Sequence, residues 1–249
     1  MIKPEVLSPE DEDIAIVGHV FDAPLVVKDW TWLPVTQLIT WGLTAREAGR
    51  LHPERSWLSR FGVGLLTMPV ILGSEWCHNL AHAAAAKWTG HPTDAIRINF
   101  GMPLLVYYDP EDLAVTPRQH ILRALGGPAI NTLFWAIAAI ARIFSRPQSV
   151  GREVANAAVY MNAFLVLGGM LPIPYIDGGA ALKWALIERG QSHDEADETL
   201  KKVNAVTAAG LGAGAAIAFK KHKRFLGGIC AMLGATALLI ATGLLKENE

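Results

Sequence analysis

Long apolar runs separated by short polar ones set the plan of this chain. They fall at roughly 61–88, 120–143, 154–171, 203–219 and 225–245, each approaching the about 20 residues that a helix needs to cross a bilayer core. A weaker run covers 31–45, with Trp30, Trp32 and Trp41 supplying indoles suited to a membrane interface. The pattern predicts an all-α integral membrane protein, a polytopic helix bundle of about six spans. From Ala95 to Tyr108 the pattern changes to alternation with Gly101-Met102-Pro103 at its centre. A small β-hairpin or re-entrant loop at the membrane edge is expected there, near 95–108. An exposed strand in that place would be able to pair with an extended peptide, although a plain surface hairpin fits the pattern equally. Residues 189–202 are charged and helix-compatible and read as a solvated connector. The chain divides on this reading into an N-terminal polar segment (1–30, acidic and turn-like over Pro4–Asp13), a membrane core (31–185), and a polar connector with two C-terminal membrane helices (186–249).

Composition agrees with that plan. Of 249 residues 51% are hydrophobic and 18% charged, with a mean hydropathy of +0.28, too apolar for an ordinary soluble domain. A formal charge of −1 and the lack of a basic arm argue against a nucleic-acid partner. Cys77 and Cys230 lie in separate apolar segments with no CxxC spacing and are expected to be free thiols. No basic stretch followed by an apolar core opens the chain, so no cleaved signal peptide is expected. With six spans, the loops at 46–60, 142–152 and 220–224 carry half of the 22 lysines and arginines. That tie leaves orientation open, with only a faint preference for termini outside.

Candidate chemistry concentrates in Glu75-Trp76-Cys77-His78-Asn79-Leu80-Ala81-His82. Histidine at membrane depth is costly unless paired or lining a wet cavity. Residues four apart share a helix face, so His78 and His82 can grip one metal ion, although a pair of packing histidines gives the same letters. A second segment supplies a third ligand. In Leu171-Pro172-Ile173-Pro174-Tyr175-Ile176-Asp177-Gly178-Gly179, two prolines break the helix and Asp177 projects from the broken backbone. Two imidazoles and one carboxylate leave a fourth tetrahedral position open, as at a catalytic zinc. The plainer alternative makes Asp177 the cap of the next helix.

These segments together resemble the site-2 proteases, a family of intramembrane zinc metalloproteases. His78-Asn79-Leu80-Ala81-His82 resembles the family's HExxH helix, Gly127-Pro128-Ala129-Ile130-Asn131 its GPxxN helix, and Leu171 to Gly179 its PxPxxDG segment. Asn162 falls where an upstream asparagine is common, and Asp29-Trp30-Thr31-Trp32 is similar to the entry of a first helix. The resemblance covers roughly 25–185 in order. It implies that His78, His82 and Asp177 bind one zinc ion, that Asn131 sits beside the site, and that Gly127 and Pro128 shape its entrance. It further implies a multi-pass protein of a bacterial inner membrane, a loop at 89–119 on the cytosolic side, and action on transmembrane helices of membrane-tethered proteins.

Three positions depart from the family pattern. Asn79 stands where the glutamate general base belongs, Gly169 replaces an asparagine, and Ala180 replaces a basic residue. An amide can orient water but cannot accept its proton, and general acid–base help typically contributes about 10²–10⁴-fold. Glu75 lies within about 40° of the direction of Asn79 but one turn nearer the helix N-terminus. It reads as a replacement base, a supporting neighbour of the metal, or a plain buried acid. Cys77 points about 100° away from His78, and His91 and His120 read as surface residues. Two functions follow. The first is a non-proteolytic homologue that binds a membrane protein, as regulator or subunit of a larger membrane complex. The second is an intramembrane metalloprotease of reduced or unconventional chemistry.

Overall fold

The computed structural model describes residues 14–245 except residue 110; the acidic stretch expected over Pro4–Asp13 lies outside the described residues. In chain order the elements are β1 (Ile14–Val20), β2 (Ala23–Lys28), a 3-10 turn (Asp29–Trp32), α1 (Val35–Leu51), α2 (Trp57–Trp88), β3 (Ala95–Asn99), β4 (Met102–Val106), α3 (Pro117–Phe144), α4 (Val150–Gly169), α5 (Asp177–Glu188), α6 (His193–Lys220) and α7 (Arg224–Ala241). They group into two compact units. One contains the sheet, α1, α2, most of α3 and α4; the other contains the start of α3, α5, α6 and α7.

Four helices, α2, α3, α6 and α7, are long and apolar enough to cross a membrane. Their surfaces invert the usual protein pattern. Leu66, Leu133, Ile137, Ile140, Ile143 and Phe144 are exposed, while Asn131 and Asn204 are buried, as are Asn162 of α4 and Lys183 of α5. Apolar side chains outward and amides inward are what a hydrocarbon solvent selects. Two of the six expected spans fall outside this set. Helix α1 begins at Val35 rather than near 31 and carries Arg46, Glu47 and Arg50 in its last turns. Helix α4 places Arg152 and Glu153 in its first turn and Asn156 and Asn162 in its body, which lowers its hydropathy.

In the first unit the strands form one sheet in the order β1-β2-β3-β4. The expected hairpin is present: β3 and β4 pair antiparallel from Ala95↔Val106 to Asn99↔Met102. Phe100 and Gly101, both with positive φ, form the two-residue turn whose twist suits a hairpin. The polar reading of residues 14–28 is corrected by the structure. They form a second hairpin turning at Phe21 and Asp22, also with positive φ, and β2 adds parallel to β3 through Leu25↔Ile96. Ala23 and Ile96 pack with Ala83, and Leu80 and Leu105 close over them. The sheet thereby rests on the turn of α2 that carries His82. Its tip is clasped as well: the Gly101 carbonyl accepts from Gln37 Nε2 at 2.6 Å and from Trp76 Nε1 at 3.0 Å. At the other end of α2, a carboxylate ties loop to helix. Arg55 donates two hydrogen bonds to Glu153 at 2.8 and 2.5 Å, and His52 Nε2 lies 3.1 Å from the same carboxylate.

In the second unit the charged stretch 189–202 is not a connector throughout. It starts α6 through a reciprocal cap, with Ser192 Oγ accepting from Glu195 N–H and the Glu195 carboxylate accepting from Ser192 N–H, the pairing expected of Ser-x-x-Glu. Ala196 and Leu200 are buried, so the first turns already pack. His120, expected at the surface, is buried and stacks face to face on Trp184 at 3.7 Å. A ring more than sixty residues away in sequence covers it. Both cysteines are free thiols.

Candidate metal centre

His78 and His82 project from α2 one turn apart, with their Nε2 atoms 3.1 Å apart. Two bonds of about 2.0–2.1 Å from a tetrahedral zinc would separate such nitrogens by about 3.3–3.4 Å. Helix α3 crosses this face at a double glycine. A Cβ built on Gly126 would lie 2.6 Å from the Ala81 carbonyl, so the two backbones touch. A Cβ built on Gly127 would lie 2.4 Å from His82 Nε2 and 2.6 Å from His78 Nε2. Only glycine leaves that point free. It is a cradle bounded by two imidazole nitrogens, close to coordinating distance from both.

Behind His78 a chain of buried polar groups fixes which nitrogen faces the cradle. Ser74 Oγ donates to the Val70 carbonyl at 2.8 Å and accepts from Asn162 Nδ2 at 3.0 Å. Asn162 Nδ2 also donates to the Ala158 carbonyl at 2.8 Å. Asn162 Oδ1 accepts from Asn131 Nδ2 at 2.7 Å, and Asn131 Nδ2 also donates to the Ser74 carbonyl at 3.2 Å. Asn131 Oδ1 is therefore turned towards His78 Nδ1 at 2.5 Å. Reversing Asn131 would set its oxygen against the Ser74 carbonyl, and reversing Asn162 would set its oxygen against the Ala158 carbonyl, so His78 carries its proton on Nδ1. Nε2 keeps its lone pair for a metal, the usual way a neighbouring acceptor sets a ligand tautomer. Asn131 and Asn162 are 0% and 1% exposed. The side-chain donors of Ser74, Asn131 and Asn162 all have partners, and the cost of an orphaned buried amide, about 1–3 kcal/mol, is avoided. On His82, Nδ1 accepts a long hydrogen bond from Gly127 N–H at 3.4 Å.

Asn79 does not face into this network. Its Nδ2 donates to the carbonyl of Glu75, one turn back on its own helix, at 3.0 Å. Glu75 itself is half-buried. His78, His82 and Asn131 come together, with Gly127 and Asn162 beside them. Ser74 was missed, although its spacing, four residues before His78 and eight before His82, put it on the same helix face.

Asp177 belongs to the second unit and is the first residue of α5. The preceding Pro172-Ile173-Pro174-Tyr175-Ile176 is non-helical, with Tyr175 at φ 70°. Ile173 is fully buried against Ala237 and Ile240 of α7, and Asn204 Nδ2 of α6 donates to the Pro172 carbonyl at 2.8 Å. The loop folds back so tightly that a Cβ on Gly179 would stand 2.1 Å from the Ile173 carbonyl, and one on Gly178 2.4 Å from the backbone of Met170. Gly169 lies against the carboxylate: a Cβ there would be 3.1 Å from Asp177 Oδ2. Where a larger polar side chain would meet that oxygen, this chain leaves room.

No family model and no curated protein matches the chain. Among solved structures it is similar to the site-2 protease from Methanocaldococcus jannaschii, with a TM-score of 0.46 and 12% identity over 92% of this chain and 94% of that one.

Proposed function

We propose that this chain is an integral-membrane homologue of the site-2 zinc metalloproteases that keeps a one-zinc site at His78, His82 and Asp177 and has lost its general base at Asn79. It works as a non-proteolytic regulator or subunit that binds another membrane protein. The observation that carries this reading is the contrast on a single turn of α2. His78 is held with Nε2 presented by a complete hydrogen-bond chain, whereas Asn79 spends its amide on a backbone carbonyl. The donor set of two imidazoles and a carboxylate suits zinc, and the Gly127 cradle leaves space beside both nitrogens.

A bound zinc would supply Lewis acidity and lower the pKa of a coordinated water. What the chain's own residues contribute is orientation. Asn131 holds the His78 ring, Gly127 keeps α3 clear of it, and Asp177 adds the negative charge that a two-histidine site lacks. At position 79 the chain offers no group that takes up a proton near neutral pH. Glu75 starts one turn away and acts, on this reading, as a half-buried neighbour rather than as a base. On this reading the protein sits in a bacterial inner membrane, with a membrane protein as its partner.

The test is zinc analysis of the purified protein together with cleavage of a membrane-tethered reporter. Stoichiometric zinc that is lost in His78→Ala, no cleavage by wild type, and cleavage gained by Asn79→Glu are expected. The intact ligand-orienting chain favours a second reading, a protease of unconventional chemistry using Glu75. Wild-type cleavage abolished by both His78→Ala and Glu75→Gln would establish it and overturn the first.

A further inference from the structure

On the face of the first unit, α2, α3 and α4 leave an open apolar groove of about 680 Å³. Leu66 to Cys77 of α2, Phe134 to Ser145 of α3 and its end, and Val150 to Asn162 of α4 line it. Each stretch covers about 16–18 Å of helix at 1.5 Å per residue, close to the about 15 Å depth of one leaflet of a 30 Å hydrocarbon core. Gly73, Ala138 and Ala155 keep the walls low. The deep end closes on Ser74 and Asn162, whose hydrogen bonds are already used within the protein, so nothing there asks for a polar ligand. The mouth is different. Where α3 turns into α4 it is lined by Ser145, Val150 and Gly151, and Arg142, Arg146 and Arg152 are the chain neighbours of the lining residues Ala141, Ser145 and Gly151.

Arg142 and Arg146 are exposed and make no ion pair among the described residues. Arg152 donates from Nη2 to the Ser145 carbonyl at 2.9 Å, while its Nε is buried without a hydrogen-bond partner among the described residues. The acid beside it, Glu153, is engaged by Arg55 and His52 and does not neutralise the mouth. An apolar channel one leaflet deep beneath uncompensated guanidinium groups, one with an orphaned donor, matches one chemistry. We infer that the groove binds a single anionic phospholipid, an acyl chain along α2, α3 and α4 and the phosphate at Arg142, Arg146 and Arg152. The site needs no metal, although Ser74 and Asn162 line it and also belong to the chain that orients His78.

Native mass spectrometry of the full chain, released from mixed micelles of equimolar phosphatidylglycerol and phosphatidylcholine, tests this. One retained phosphatidylglycerol is expected, preferred at least about tenfold, because basic residues near an anionic headgroup attract it measurably. The double variant Arg142→Gln/Arg146→Gln replaces two exposed side chains and should bring the two lipids to parity. Ala141→Trp, filling the groove from an exposed position, should remove the retained lipid whatever its headgroup. Equal retention of both lipids by the wild type would overturn the proposal, as would a preference left intact in the arginine variant. Zinc content measured on the same samples should not change.

Discussion

Asn79 is shorter than a glutamate by one methylene and carries no charge, and its amide donates back to the carbonyl of Glu75. Asn79→Glu would add both reach and basicity at this position. The amide at 131 does a different job. Asn131 aims the His78 ring, so Asn131→Ala should weaken zinc binding about 10–100-fold, as loss of such an orienting partner typically does; competition against a fluorescent chelator reads it. Asn131→Asp, which still accepts from Nδ1, should retain most of the affinity. Gly127→Ala should abolish zinc uptake, since its methyl would fall within 2.4–2.6 Å of both Nε2 atoms. Helix content by circular dichroism should stay unchanged, because alanine suits α3 better than glycine does. A zinc-replete Gly127→Ala would show that the metal point lies elsewhere.

At the scale of elements, what holds the first unit's polar end is one carboxylate shared by two bases. The side chains of Glu153 and Arg55 are 9% and 13% exposed, between the surface and buried regimes. Glu153→Ala should cost about 2–3 kcal/mol, seen as a lower thermal midpoint in detergent. In the second unit, Gly179→Ala forces a methyl onto the Ile173 carbonyl. Overpacking against backbone costs typically about 1–3 kcal/mol, and the same melting experiment reads it. The elements differ in how far the sequence displays them. The long apolar helices, the 95–108 hairpin and the proline break before Asp177 are written locally, in run length, alternation and backbone chemistry. The start of α6 was equally local, in Ser192 and Glu195, yet its charges masked the buried Ala196 and Leu200. The hairpin of β1 and β2 was hidden because it turns on Phe21 and Asp22 rather than on an Asn-Gly pair. Its parallel partner β3 also lies beyond the whole of α1 and α2. His120 was misplaced for a similar reason: only the fold brings Trp184 over it. At the candidate site, the ligand letters were legible and the wiring was not, since the direction of the Asn131–Asn162–Ser74 chain depends on helix contacts that no spacing encodes.

For the molecule as a whole, the decisive property is the outward apolar surface of the long helices. Helix α2 carries Trp57 at its first residue and Trp88 at its last, about 46 Å apart at 1.5 Å per residue. That matches the about 40–45 Å between the two headgroup regions of a bilayer. Both indoles are exposed, Trp57 at 71% and Trp88 at 85%. In single-tryptophan variants reconstituted into vesicles, an impermeant aqueous quencher should reach one of them from outside and the other only after vesicle lysis. Simultaneous quenching from outside in uniformly oriented vesicles would mean that α2 lies along the surface. The helix also carries a mechanical link between water and lipid. The hairpin tip and the histidine-bearing helix share one fastener, the Gly101 oxygen held by Trp76 two residues before His78. A polypeptide that lengthened the sheet, or a protease that clipped its rim, would pull on the peptide group that Trp76 grips two residues before His78. Strain at the hairpin would then reach the histidine-bearing helix through a single indole hydrogen bond.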